Sequence, residues 1–436
     1  MQPVSTRAAV GAVAAVAVVV AVLATRSGGC SDKKGGHGSA ASGSENADAD
    51  AADAAAHTVR AQPGCHPTMA GGTLAKVAPG ALSMAVVKDR ALLVGTFDLA
   101  PGTTRGRADR VVLDRMGAPI GAAERVNDAL PEGRDVMTFA AALAQDAHLT
   151  TLTYAARRPS PLDCADGLLV SKGLEPDAAR RELLTHSCRA GSMLVAAARG
   201  PLGIAFLDGA TKADGDPKTA PAIADVVVIS GLSSSQSRVE TIGGGATIAS
   251  AATAAGATSV AAAYVVAHGT TRELHVVQLG KDGKTTAKVE VLDKANVGTA
   301  TVAYEGDVLH VVWSSFVPEK NRFVLRWSKW LAGAAPSAPQ TIGTGVLSAL
   351  TPSLAIDRGR FMLAWTNGDE QTATVKVGAS RNGIVAIPGL ASVVSTPSVA
   401  ARDPVVALDG DVMFVAWKEL GTTEPEVHAA SISCRE

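Results

Sequence analysis

The chain has 436 residues, with 40 Lys and Arg against 41 Asp and Glu, nine His and 3% aromatics. That length fits two or three ordinary domains or one large repeat array, and 47% hydrophobic residues exclude a wholly disordered chain. A net charge of −1 offers no electrostatic reason to bind nucleic acid, whose phosphates require a concentrated basic surface, so no nucleic-acid partner is expected.

Residues 8–24 are an unbroken apolar run, mostly Ala and Val, behind Arg7. The run is short for a spanning helix and has the length and flank of a signal-peptide core. It ends in Thr25-Arg26-Ser27-Gly28-Gly29-Cys30, which resembles a bacterial lipoprotein signal, although Ser27 stands where such signals carry an aliphatic residue. The resemblance implies export, lipidation at Cys30 and a membrane anchor at the N-terminus. Residues 31–64 are small and polar, too poor in apolar area to offset chain entropy. They read as a flexible tether with a reach of roughly 30–35 Å.

From Cys65 the chain repeats. Residues 303–313 (AYEGDVLHVVW), 355–365 (AIDRGRFMLAW) and 407–417 (ALDGDVMFVAW) align without gaps, and Trp313, Trp365 and Trp417 are 52 residues apart in each case. Fainter copies occupy 254–264, 196–206, 144–154 and 85–95, the first three closing on Tyr264, Phe206 and Tyr154. Seven copies of about 53 residues result. Each pairs an apolar strand, an acidic/Gly hairpin corner and a second strand apolar at every position, which must be buried on both faces. Further strands are expected at 373–377 and 383–387.

Four-stranded antiparallel units of this length, stacked on copies of themselves, resemble the blades of a β-propeller. The expected fold is an all-β, seven-bladed propeller over residues 65–436. A strand at 72–77 should complete the last blade, which otherwise ends with strand 426–433. That closure makes a Cys65–Cys434 disulfide natural and leaves Cys164 to pair with Cys188 in the second blade.

Chemistry is harder to find. The first strand of each copy should line the channel, and these strands are almost uncharged. The positions four before each leading Ala are Ala81, Ala140, Ser192, Ser250, Thr299, Thr351 and Asp403. Of these only Asp403 ionises. Propeller sialidases carry a Ser-x-Asp-x-Gly-x-Thr-Trp box, and Asp357-x-Gly359 matches only a fragment of it, so no family's catalytic residues carry over. The expected role is a non-catalytic, tethered module that binds a protein or glycan through its loops, with Asp403, Asp135, His268 and Arg272 as contact candidates. The alternative is a glycoside hydrolase or lyase whose carboxylates come from loops, for example Asp403 with Asp135 or Asp369.

No metal or cofactor is called for. Asp214 and Asp216 read as a polar loop, because Lys218 stands where a calcium ligand belongs. His310 reads as a strand position between blades. His148 and His275 read as strand positions without an acidic partner. The stretch with Trp327, Trp330, Arg322, Arg326 and Lys329 reads as an outer strand with snorkelling stems, or alternatively as a sugar- or partner-contacting surface.

Overall fold

The computed structural model describes residues from 64 to 435, leaving out 69–71, 77–81, 88–89, 96–108, 126–133, 144–148, 158–164, 173–179, 188–192, 197–202, 211–221, 231–234, 243–245, 281–288, 332, 370 and 422–424. From 134 to 239 it describes strand backbone alone. The leader, residues 31–63 of the tether, Cys30, Cys164, Cys188, His148, Asp214 and Asp216 lie outside the described residues, whereas Gly64, expected in the tether, opens a strand.

The described strands form seven antiparallel sheets. We number them 1 to 7 by their first strands, Ser83–Val87, Arg134–Leu143, Met193–Ala196, Thr247–Ala255, Val297–Glu305, Ala349–Asp357 and Ala400–Asp409. Sheets 1 to 6 have four strands each in simple meander order. Each first strand contacts the first strand of the next sheet, and the series returns from Ala400–Asp409 to Ser83–Val87. The fold is a β-propeller.

Positions one residue beyond the 52-residue repeat meet across neighbouring sheets. Val406 N–H donates to Ser353 Oγ at 3.1 Å and Gly410 N–H to Asp357 Oδ2 at 2.6 Å, both pairs 53 residues apart. The corners turn where the pattern places them, with left-handed backbone at Gly306, Arg358, Gly359 and Gly410. In sheets 4 to 7 the second strands are buried on both faces. All eight residues of Ser259–Val266 and seven consecutive residues of Met413–Glu419 are enclosed, because each sheet is covered by a neighbour on either side.

Sheet 7 is completed from the other end of the chain, by two segments rather than one. Gly72–Lys76 pairs with the first half of Pro425–Arg435, and Gly64–Pro67 pairs with its second half. Cys65 therefore lies inside the closing segment, opposite Cys434, and the two form a disulfide. Its loop spans 369 residues, for which chain entropy allows on the order of 5 kcal/mol as an upper bound. The sixth sheet departs from expectation. Residues 384–390 form a 3-10 helix, and the fourth strand is the short Ser392–Val393. The reason is Gly378 on the third strand: a Cβ there would lie 2.8 Å from Ile387, so its absence lets the helix pack on the strand, with Pro388 inside it.

The repeated aromatics pack between sheets. Trp365 shares a cluster with Val312 and Leu325 of sheet 5, and Trp417 with Met362 and Val375 of sheet 6. Several also carry a polar latch. Trp313 Nε1–H donates to Asp293 Oδ2 at 2.7 Å, and Asp293 lies at the outer edge of sheet 4. Trp417 Nε1–H donates to Glu419 Oε1 at 2.9 Å, which also accepts from Thr396 N–H. Tyr264 donates to Glu240 of sheet 3, whose carboxylate is also 3.1 Å from His275 Nδ1. His275 thus has the acidic partner that the sequence reading denied it. Burial is the largest influence on Glu240 and raises its pKa. The hydrogen bonds from His275 and Tyr264, with the nearby charge of His275, outweigh burial and hold Glu240 below its ordinary value.

Candidate functional site

Five of the seven first strands share an irregularity near their beginning. Their pairing register slips at Val136/Thr138, Ile248/Ser250, Val297/Ala300, Leu350/Ser353 and Arg402/Val405. Extra residues at such a bulge bend the strand and re-aim its side chains, and bulges are common beside active sites. At the last two bulges the extra residues include Thr351 and Asp403, which have left-handed backbone at φ 43° and 54°. Such residues persist only where the surroundings hold them.

What holds them is the residue following each repeated Trp. Ser314 Oγ accepts from Thr299 N–H at 3.0 Å, the hydroxyls of Thr351 and Thr366 are 2.5 Å apart, and Lys418 Nζ donates to Asp403 Oδ2 at 3.1 Å. In all three pairs the partners are 15 residues apart. Gly298 fits beside the first pair because a Cβ there would lie 2.5 Å from Ser314 Oγ. Thr366 Oγ1 also accepts from Asp403 N–H at 3.2 Å, joining sheets 6 and 7.

A hydroxyl pair in sheet 6 is therefore replaced in sheet 7 by a carboxylate and an ammonium. The Lys418 side chain is 11% exposed, and that of Asp403 is 35% exposed. Arg402 Nε lies 3.7 Å from the same Asp403 oxygen and makes no hydrogen bond. Two cations face one carboxylate, so the cluster carries surplus positive charge. Glu419, the residue after Lys418, makes no ion pair with either cation among the described residues; it is engaged with Trp417 and Thr396 and lies near His428.

The other candidates share this end of the sheets by register. Asp135 is the second residue of the first strand of sheet 2, paired with Ala156. His268 and Arg272 are strand residues flanking the tight turn at Gly269 and Thr270, not members of a longer loop. Asp369 follows the second strand of sheet 6, where Oδ1 accepts from Gln371 N–H, Thr372 N–H and the Thr372 hydroxyl. The bonds from Thr372 lead in holding it below the usual carboxylate value. Among the described residues, no hydrogen bond or ion pair joins Asp403 to Asp369, His268 or Arg272. Also among the described residues, no group of three or more His, Cys, Asp or Glu is arranged to hold a metal. Sequence reasoning missed Lys418, Arg402 and Thr366.

No protein-family model matches the chain, and no curated protein matches it in sequence. Solved structures do match in fold. The phage phi92 endosialidase is similar over 84% of this chain and 70% of its own, at 8% identity and TM-score 0.48. The polysaccharide lyase Uly1 is similar over 83% and 91%, at 8% identity and TM-score 0.47. The Trypanosoma rangeli sialidase is similar over 85% and 59%, at 9% identity and TM-score 0.44. The likeness is one of fold. The expectation of a non-catalytic binding module runs against the names of these neighbours, an endosialidase, a polysaccharide lyase and a sialidase, which are names of the kind that the alternative reading gave. The premise of that expectation, channel strands without charge, also fails at the bulge of sheet 7, where Arg402 and Asp403 belong to the first strand.

Proposed function

We propose that this propeller cleaves a glycan, as a glycoside hydrolase or a polysaccharide lyase, at the end of the sheets where the first strands begin. The observation that supports this is Asp403, a partly exposed carboxylate held in left-handed backbone against Lys418. Backbone strain and an enclosed ion pair together, where the neighbouring sheet carries only hydroxyls, are features of working sites. In this reading Asp403 acts at the bond being cut. Lys418 and Arg402 orient it, and their surplus positive charge favours a sugar bearing an acid group. A hydrolase needs a second carboxylate about 5–10 Å away. Asp369, held ionised by its three hydrogen bonds, suits a base and not a proton donor.

The test is to incubate the purified protein with neutral and acidic polysaccharides. New reducing ends indicate hydrolysis, and ultraviolet-absorbing unsaturated ends indicate elimination. Asp403→Asn should lower the rate by about 100-fold or more. Absence of product from every substrate, or full activity in that variant, overturns the proposal.

We further propose that residues 1–30 are an export signal with Cys30 lipidated, that 31–64 are a tether, and that the propeller from 65 faces an oxidising cell envelope. The Cys65–Cys434 disulfide supports the oxidising surroundings. Ala165 and Ser187 are register partners, so Cys164 and Cys188 each adjoin a paired position, which supports a second disulfide between them. Peptide mapping without reductant tests that bond, and recovery of both peptides uncrosslinked overturns it.

A further inference from the structure

At the opposite end of the sheets from Asp403, between sheets 5 and 6, lies a cleft of about 550 Å3. His310, on the second strand of sheet 5, stacks on Trp327 with centroids 5.9 Å apart and meets the edge of Phe361 at 5.2 Å. Trp327 Nε1–H donates to His310 Nδ1 at 3.2 Å, which places the imidazole proton on Nε2. That Nε2 is buried and faces the Glu305 carboxylate at 3.3 Å. Glu305, Lys329 and Asn382 supply further polar groups to the lining, and Leu331 and Val385, each 52% exposed, extend its apolar surface outward.

The lining selects among ligand classes. One carboxylate and one ammonium offer no net charge to attract an ion. A peptide adding as a β-strand would need free backbone on the strand Arg322–Leu331, but Lys329 N–H already donates to Ser337 Oγ and Lys329 O accepts from Ser337 N–H. A pyranose ring has an apolar C–H face and an edge of hydroxyls that both donate and accept. The aromatic and aliphatic floor suits that face, while Glu305, Lys329 and Asn382 suit that edge.

We propose that this cleft is a binding subsite for neutral saccharide, separate from the Asp403 cluster and independent of whether that cluster cleaves anything. The test titrates the full chain with neutral tetrasaccharides (cello-, xylo- and galacto-series), following tryptophan fluorescence and calorimetry, with a tetra-uronate and an extended peptide as comparators. Saturable binding of one neutral tetrasaccharide is expected, at least tenfold weaker in Asn382→Ala and in Lys329→Ala, both exposed positions whose loss leaves the fold intact. Asp403→Asn should bind with unchanged affinity. The proposal is overturned if no neutral sugar saturates, if the uronate or the peptide binds more tightly, if both surface variants bind as well as the parent, or if Asp403→Asn abolishes binding.

Discussion

Sheets 5 and 6 use the same tryptophan differently. Trp313 and Trp365 occupy equivalent positions, both are buried, and each is paired across to a cation on the third strand, Arg326 or Lys376. Yet the Trp313 indole N–H donates to Asp293, with Arg326 3.6 Å from the same carboxylate oxygen, whereas the Trp365 N–H is buried without a hydrogen bond. Apolar packing between blades is what the repeat shares. The polar latch is a separate addition, and sheet 6 stands without it.

Replacing either indole by a methyl should cost the most. Trp313→Ala and Trp365→Ala should each lose about 3–5 kcal/mol in denaturant unfolding, since both leave a large cavity. Trp→Phe then separates the two blades. Trp313→Phe strips the enclosed Asp293 of its donor and should cost about 1–3 kcal/mol more than Trp365→Phe, and equal costs would show that the latch is idle.

Acidity probes two other interfaces. Glu240 has a lowered pKa in the fold, so its latch contributes fully above the ordinary carboxylate value and is lost as pH falls through the lower folded value. The stability gap between parent and Glu240→Gln should therefore close on acidification. His310, between sheets 5 and 6, is also held below its ordinary value. Burial is the main cause, Lys329 adds to it and Glu305 opposes it. Its unfolded form therefore takes up protons first, and stability should fall as pH drops below about 6.5. His310→Gln should flatten that slope in thermal melts. The smallest effect belongs to Arg358→Ala. Its ion pair with Asp409 at 3.2 Å sits on a side chain that is 74% exposed, and the melting midpoint should move by no more than about 0.5 kcal/mol implies.

The propeller was legible because its signals are local. An apolar second strand, a Gly or acidic corner and a closing Trp recur within eleven residues, and burial on both faces follows from them. The latches were not legible, because their acids come from unrelated places. Glu240 stands 24 residues before Tyr264, Asp293 stands 20 before Trp313, and Glu419 stands two after Trp417. The 3-10 helix at 384–390 was missed because its cause, the bare Gly378, lies on another element. Asp403 stood out as the one charge in its column, but Lys418 did not. Its signal was the constant 15-residue interval from bulge to the residue after Trp, visible once Thr299–Ser314 and Thr351–Thr366 are placed beside it.

The seam between Gly64–Pro67 and Pro425–Arg435 sets a timetable for biosynthesis. The segment bearing Cys65 is translated early, but the strand it must pair with emerges after every other blade. Until then Cys65 lacks the partner it has in the finished fold. The disulfide that fastens the ring can therefore close only once the whole propeller has been synthesised.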